Sequence, residues 1–148
     1  MKIEKILWPT DLSGSAEQAL DSVKSLTIKY GAEIHVLYVV EDIAHHKSWY
    51  GDFKQKHIDQ IIEWENNKAV DRLEHICSQY LDGCPLYIRH VAVGDPATEI
   101  LKLIETENID MVIMATKGSK GIFHFGSVTD KVLKNAPVPV LTIPVAKT

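Results

Sequence analysis

Five short runs of almost uninterrupted apolar residues constrain this chain more than anything else in it. They are Ile3–Trp8, Glu33–Val40, Leu86–Val93, Asp110–Ala115 and Val138–Ile143. A strand with one wet face alternates apolar and polar side chains, whereas a run that is apolar throughout needs cover on both faces. Between the runs lie stretches with the periodicity of amphipathic helices, so the order reads β-α-β-α-β-α-β-α-β. That alternation predicts an α/β domain, an open parallel sheet of five strands with helices on both faces. With 148 residues and no repeat, low-complexity stretch or linker, the chain is expected to form one domain over 1–148. A domain of this size buries enough surface to fold without a disulfide or a structural metal.

The first helical pattern places Ala16, Ala19, Leu20, Val23, Leu26 and Tyr30 on one face and stops at Gly31, with Ser15 and Gln18 reading as its capping box. The second is long, from about Phe53 to Leu81, with the stripe Ile58, Ile61, Ile62, Ala69, Leu73, Ile76, Cys77 and Tyr80. The third opens at Asp95-Pro96, a side-chain cap followed by proline in the first turn, and carries Ala97, Ile100, Leu101 and Ile104. The fourth opens at Gly126-Ser127 and carries Val128, Val132, Leu133 and Ala136 before Pro137. The last run contains Pro139 and leads into Pro144, so it is expected at a sheet edge, where a missing N–H is tolerated. An apolar edge strand is a liability unless it is paired, which predicts a twofold homodimer through Val138–Ile143.

Charge and ends remove several classes of function. Sixteen Lys and Arg against twenty Asp and Glu give −4, the wrong sign for a general nucleic-acid binder. Trp8, Trp49 and Trp64 read as core or interface residues, since a stacking surface would need basic residues among the aromatics. The first apolar stretch is interrupted by charge and followed by Pro9, unlike a signal peptide, and Val36–Val40 is far too short to span a bilayer, so no membrane partner is expected. Cys77 and Cys84 stand in neither metal nor redox spacing, which fits a reducing cytoplasm.

Ligands of open α/β sheets bind beyond the carboxyl ends of the strands, where the strand order reverses. Two segments follow strand ends with suitable chemistry: Pro9-Thr10-Asp11-Leu12-Ser13, and Met114-Ala115-Thr116-Lys117-Gly118 running on to Gly126-Ser127-Val128-Thr129. In the second, Gly118 and Gly121 admit close backbone approach, Gly126-Ser127 opens a helix whose amides favour an anion, and four lysines against Asp130 give Met114–Asn135 a charge of +3. A small phosphate-bearing ligand suits such a patch. A second reading needs no ligand: Ser127-x-x-Asp130 can be a capping box, and Asp11 can bond to nearby backbone amides. Neither Walker A spacing, nor G-x-G-x-x-G, nor a G-x-S-x-G elbow occurs, which sets aside P-loop ATPases, dinucleotide enzymes and serine hydrolases. The seven histidines lack ligand spacing, so no metal site is expected; His35 and His90, on strands, need only a hydrogen-bonding partner.

These residues resemble the universal stress protein family, in its single-domain, UspA-like form. The resemblance spans essentially the whole chain. It rests on Ile6-Leu7-Trp8-Pro9-Thr10-Asp11-Leu12-Ser13, on His35-Val36-Leu37-Tyr38-Val39-Val40, on Gly94-Asp95-Pro96, and above all on the tail from Gly126-Ser127-Val128-Thr129-Asp130 to Pro137-Val138-Pro139-Val140-Leu141. It implies the adenine-nucleotide alpha-hydrolase-like fold with strand order 3-2-1-4-5 and a dimer through the last strand. It also implies an adenine nucleotide, ATP foremost, with Mg accompanying it. By the family's pattern Pro9, Thr10 and Asp11 would face ribose and adenine, and Val39 would meet the adenine edge through its backbone. Met114, Ala115, Lys117 and Gly118 would line the phosphate side, completed by Gly126, Ser127, Val128 and Thr129. The family's Gly-x2-Gly-x9-Gly-Ser/Thr reads here as Ala115-x2-Gly118-x7-Gly126-Ser127, with one glycine replaced and a loop two residues shorter. The resemblance therefore implies a stress-response regulator or adaptor that acts by partner binding, with at most slow ATP hydrolysis. A dimeric member that binds no nucleotide is the alternative. The segment Glu41 to Gln60 is longer than a βα connection needs and reads as a lid or a partner surface.

Overall fold

The computed structural model describes residues 1–10, 18–40, 87–115 and 125–144, together with helical residues between 60 and 78. Its named elements are β1 (Lys5–Thr10), α1 (Leu20–Tyr30), β2 (Glu33–Val40), β3 (Tyr87–Val93), α2 (Pro96–Thr106), β4 (Met111–Ala115), α3 (Phe125–Asn135) and β5 (Val140–Ile143). The strands form one parallel sheet in the order β3-β2-β1-β4-β5, as the resemblance implied, with β5 at an edge. The boundaries of β2 match the apolar run, while β1 continues two residues past Trp8 and β5 begins only after Pro139.

Alternate side chains along each strand supply the two cores. On one face Ile6, Trp8, Ile34, Val36 and Ile113 pack against Leu20 and Val23 of α1 and against Ala19 just before it. On the other face Leu7, Leu37, Val39, Val112 and Met114 pack against Ala97, Ile100 and Ile104 of α2 and Val128 and Val132 of α3. Each large side chain removed from water in this way contributes about 1.5–3 kcal/mol. Cover on both faces is why the central strands carry no wet, polar row. Leu133 is the exception to the expected stripe of α3, at 49% exposure.

Local chemistry sets the helix ends. At its C-terminus α1 closes on Gly31, which adopts the left-handed conformation (φ 61°) while its own N–H and that of Ala32 return to the last turn. The start of α1 differs from expectation. It begins at Leu20 with Ala19 at the cap position and no side-chain cap; the capping box expected from Ser15 and Gln18 rests on residue 15, which lies outside the described residues. For α2 the expected cap is present. The Asp95 carboxylate accepts from the Thr98 N–H (3.0 Å) and hydroxyl (2.8 Å), with Pro96 in the first turn. Those two bonds, helped by the charge of Lys131, hold the Asp95 carboxyl below its ordinary range.

The described residues between 60 and 78 are exposed apart from half-buried Asn66, and Glu74 pairs with Arg89 of β3 at 2.9 Å. The apolar stripe expected in that segment lies outside the described residues, as do 41 to 59. Trp64 is exposed beneath the Lys68 ammonium, 4.4 Å from the ring centre, whereas Trp8 is fully buried. No helix among the described residues is long and apolar enough to cross a membrane.

Candidate functional site

From β1 the chain winds outward through β2 and β3, then returns to the other side of β1 for β4 and β5. The switch point therefore lies between the carboxyl ends of β1 and β4, the place where open α/β sheets hold ligands. The ladders part at this point. β1 pairs with β2 along its whole length, from Lys5↔Glu33 to Thr10↔Tyr38, and β4 pairs with β5 up to Ala115↔Ile143. Among the described residues, the pairing between β1 and β4 covers Ile6↔Met111 and Leu7↔Val112.

The fold thus brings Pro9 and Thr10 on one side together with Met114 and Ala115 on the other, at the carboxyl ends of two neighbouring strands. Val39 stands on β2 one residue beyond Tyr38, the partner of Thr10. All five are buried, with Thr10 wholly inaccessible. The side chains of Val39 and Met114 belong to the core beneath α2 and α3.

Above the end of β4 lies the first turn of α3. The leading amides of a helix have no carbonyl one turn earlier within the helix, which makes such an end favourable to an anion. Two contacts fix that turn. Val128 is buried in the core, and the buried Thr129 hydroxyl donates to the Ala115 carbonyl at 3.3 Å. Gly126 falls within the turn, and Ser127 is exposed. The capping-box reading of Ser127 and Asp130 does not hold. The helix already begins at Phe125, which puts Ser127 inside it, and the Asp130 carboxylate pairs with Lys134 at 3.1 Å. Asp11, Lys117 and Gly118 lie outside the described residues.

Sequence reading did not anticipate how His35 and His90 are satisfied. They meet each other across β2 and β3, His35 Nδ1 to His90 Nε2 at 2.9 Å, with stacked rings, and His35 Nε2 meets Glu33 Oε1 at 2.6 Å. The signal was present as Glu33-x-His35, two polar residues on one face of an otherwise apolar strand. Burial and the neighbouring His35 lower the His90 pKa, and Glu107 opposes them. His90 also borders a cleft of about 150 Å³ between β3 and α2, lined further by Leu37, Glu99 and Lys102, on the far side of β2 from the switch point. No group of three potential metal ligands occurs among the described residues.

The fold is an open α/β domain whose switch point lies between the carboxyl ends of β1 and β4, with α3 tied to the end of β4. The family model described as "Universal stress protein family" matches residues 2–144, and the chain belongs to that family. It is 29% identical over 160 residues to universal stress protein MJ0577 of Methanocaldococcus jannaschii, covering 95% of this chain and 94% of that protein. The solved structure of MJ0577 covers both chains completely, with a TM-score of 0.84. The universal stress protein UspA of Lactobacillus plantarum shares the fold at 21% identity and a TM-score of 0.79, over 97% of this chain and 99% of that one. So does a universal stress protein of Archaeoglobus fulgidus solved in complex with dAMP, at 20% identity and a TM-score of 0.65, again over 97% and 99%.

Proposed function

We propose that this protein binds an adenine nucleotide, ATP foremost, in the crevice between β1 and β4, and that occupancy changes the surface it offers to a partner protein in a cytoplasmic stress response. The observation that carries the reading is the meeting of Pro9-Thr10, Met114-Ala115 and the first turn of α3 at the switch point of the sheet. The residues suit the ligand. The first-turn amides of α3 at Gly126, Ser127 and Val128 are the proposed donors to phosphate oxygens, as a helix N-terminus favours an anion. The backbone of Val39 is the adenine contact, with Pro9, Thr10 and Asp11 toward the ribose. Lys117, Gly118 and Ala115 are the residues proposed for the phosphate side, and Thr129 ties α3 to the end of β4. Mg would ride on the phosphate oxygens and water, as that ion usually does. The dAMP complex of a protein with the same fold supports an adenine ligand in that protein.

The proposal is of binding without turnover. Two copies are proposed to pair through the β5 edge, where Leu141 is 38% exposed. Sedimentation at micromolar concentration is expected to show a dimer that Leu141→Lys weakens, and a monomer throughout would contradict the pairing. For the nucleotide, protein denatured as purified is expected to release an adenine nucleotide. Gly126→Val, which sets a branched side chain among the phosphate-binding amides, is expected to abolish that release. Equal release from parent and variant would remove the assignment of α3, leaving the nucleotide-free dimer as the reading to pursue.

A further inference from the structure

Among the described residues the β1–β4 ladder stops at Leu7↔Val112, and the stop has an identifiable chemical cause. In a parallel ladder, successive residues turn their backbone N–H and C=O to opposite neighbours. The Glu4 carbonyl accepts from Glu33 on the β2 side, and the Lys5 carbonyl accepts from Asp110 on the β4 side. Residues 4, 6, 8 and 10 therefore serve β2, and residues 5, 7 and 9 serve β4. With Leu7 registered on Val112, the next bond of the β1–β4 ladder would run from the N–H of residue 9 to the Ile113 carbonyl. Residue 9 is proline and has no N–H. The next two pairs, Trp8 with Ile113 and Pro9 with Met114, both need that one bond, and the ladder ends at Leu7↔Val112. On its other side β1 loses nothing, since Trp8 and Thr10 carry the pairing with β2 up to Tyr38.

We infer that Pro9 is a positioning residue. By withholding one ladder bond on one side of a central strand, it keeps the ends of β1 and β4 from zipping and so holds the crevice open. This inference rests on the reading of the crevice as an adenine-nucleotide site. A residue that restores the N–H should extend the ladder to the strand ends, draw Thr10 and Ala115 together, and narrow the space between them.

The test is Pro9→Ala, with Pro9→Val, closer in volume, as a second variant should the first fold poorly. Amide exchange followed by NMR at position 9 is expected to be as slow as at Trp8 and Thr10 in the same variant, with a scalar coupling across the new hydrogen bond to the Ile113 carbonyl. ATP affinity measured by calorimetry is expected to fall roughly three- to tenfold, the fold-change matching one net hydrogen bond. A purely structural role for Pro9 would move stability without protecting that amide. An amide at position 9 exchanging as fast as an exposed one would overturn the inference. So would a protected amide in a variant that binds ATP as tightly as the parent. Should the parent bind no adenine nucleotide, the proposed function fails by itself, and the amide alone decides: protected, Pro9 is what parts the strands; unprotected, it is not.

Discussion

Thr129→Val removes one hydroxyl and almost nothing else, at the point where α3 is tied to the end of β4. The two side chains are nearly the same size, and Thr129 is only 5% exposed, so packing should survive. What is lost is the hydrogen bond to the Ala115 carbonyl. At 3.3 Å it is a long bond, which places it at the weaker end of the usual range. Against that, the carbonyl is buried and loses a donor that the solvent does not readily replace. Together these give about 1 kcal/mol of lost stability, or about 3 °C in melting temperature for a domain of this size. Urea unfolding is the assay, with an unchanged slope and a lower midpoint expected. Thr129→Ser is the companion variant, keeping the donor and losing a methyl group worth about 0.8 kcal/mol. At similar cost in stability, the valine variant should bind ATP more weakly than the serine variant, because only there is the first turn of α3 untied. A valine variant with the parent's midpoint and affinity would refute the anchoring role.

Two further outcomes follow from other parts of the molecule. Because the His90 pKa is lowered in the folded state, protonation favours unfolding. The contribution is complete above the ordinary histidine pKa of 6.5 and is lost as pH falls below it; His90→Gln, whose amide can still donate to His35, should flatten that slope, and NMR titration of His90 at or above 6.5 would contradict it. Asp95→Ala removes both cap bonds of α2 and is expected to cost about 1 kcal/mol at pH 7. The lowered Asp95 pKa places that contribution above the ordinary carboxylate range and removes it as pH falls through the folded value, so parent and variant should converge in acid.

Much of the fold was legible because both-face burial leaves a plain mark. Glu33–Val40 was recognisable as a strand from residues that must be apolar on both sides, and Asp95-Pro96 as a helix start because capping and the missing proline N–H belong there. Proline misled in one place. The general rule sends proline to sheet edges, and it correctly marked β5, yet Pro9 lies inside central β1. Periodicity could not reveal that its nitrogen faces the one side where the ladder stops. Ser127-x-x-Asp130 also read more simply than it is. The same four residues fit a cap or a helix interior, and Val128 and Thr129, buried toward the sheet, decide for the interior. The mutual satisfaction of His35 and His90 was out of reach for another reason: it depends on a β2–β3 register that one sequence does not state, with Leu37 opposite His90.

The account stands or falls on occupancy of the crevice. Calorimetric titration of nucleotide-stripped protein with ATP and Mg is the direct measurement, with GTP as the comparison and Gly126→Val as the blocked control. Saturable heat at one site per chain for ATP, much weaker for GTP and absent in the variant, is the predicted result. Millimolar ATP that gives neither heat nor a rise in melting temperature would contradict the nucleotide reading.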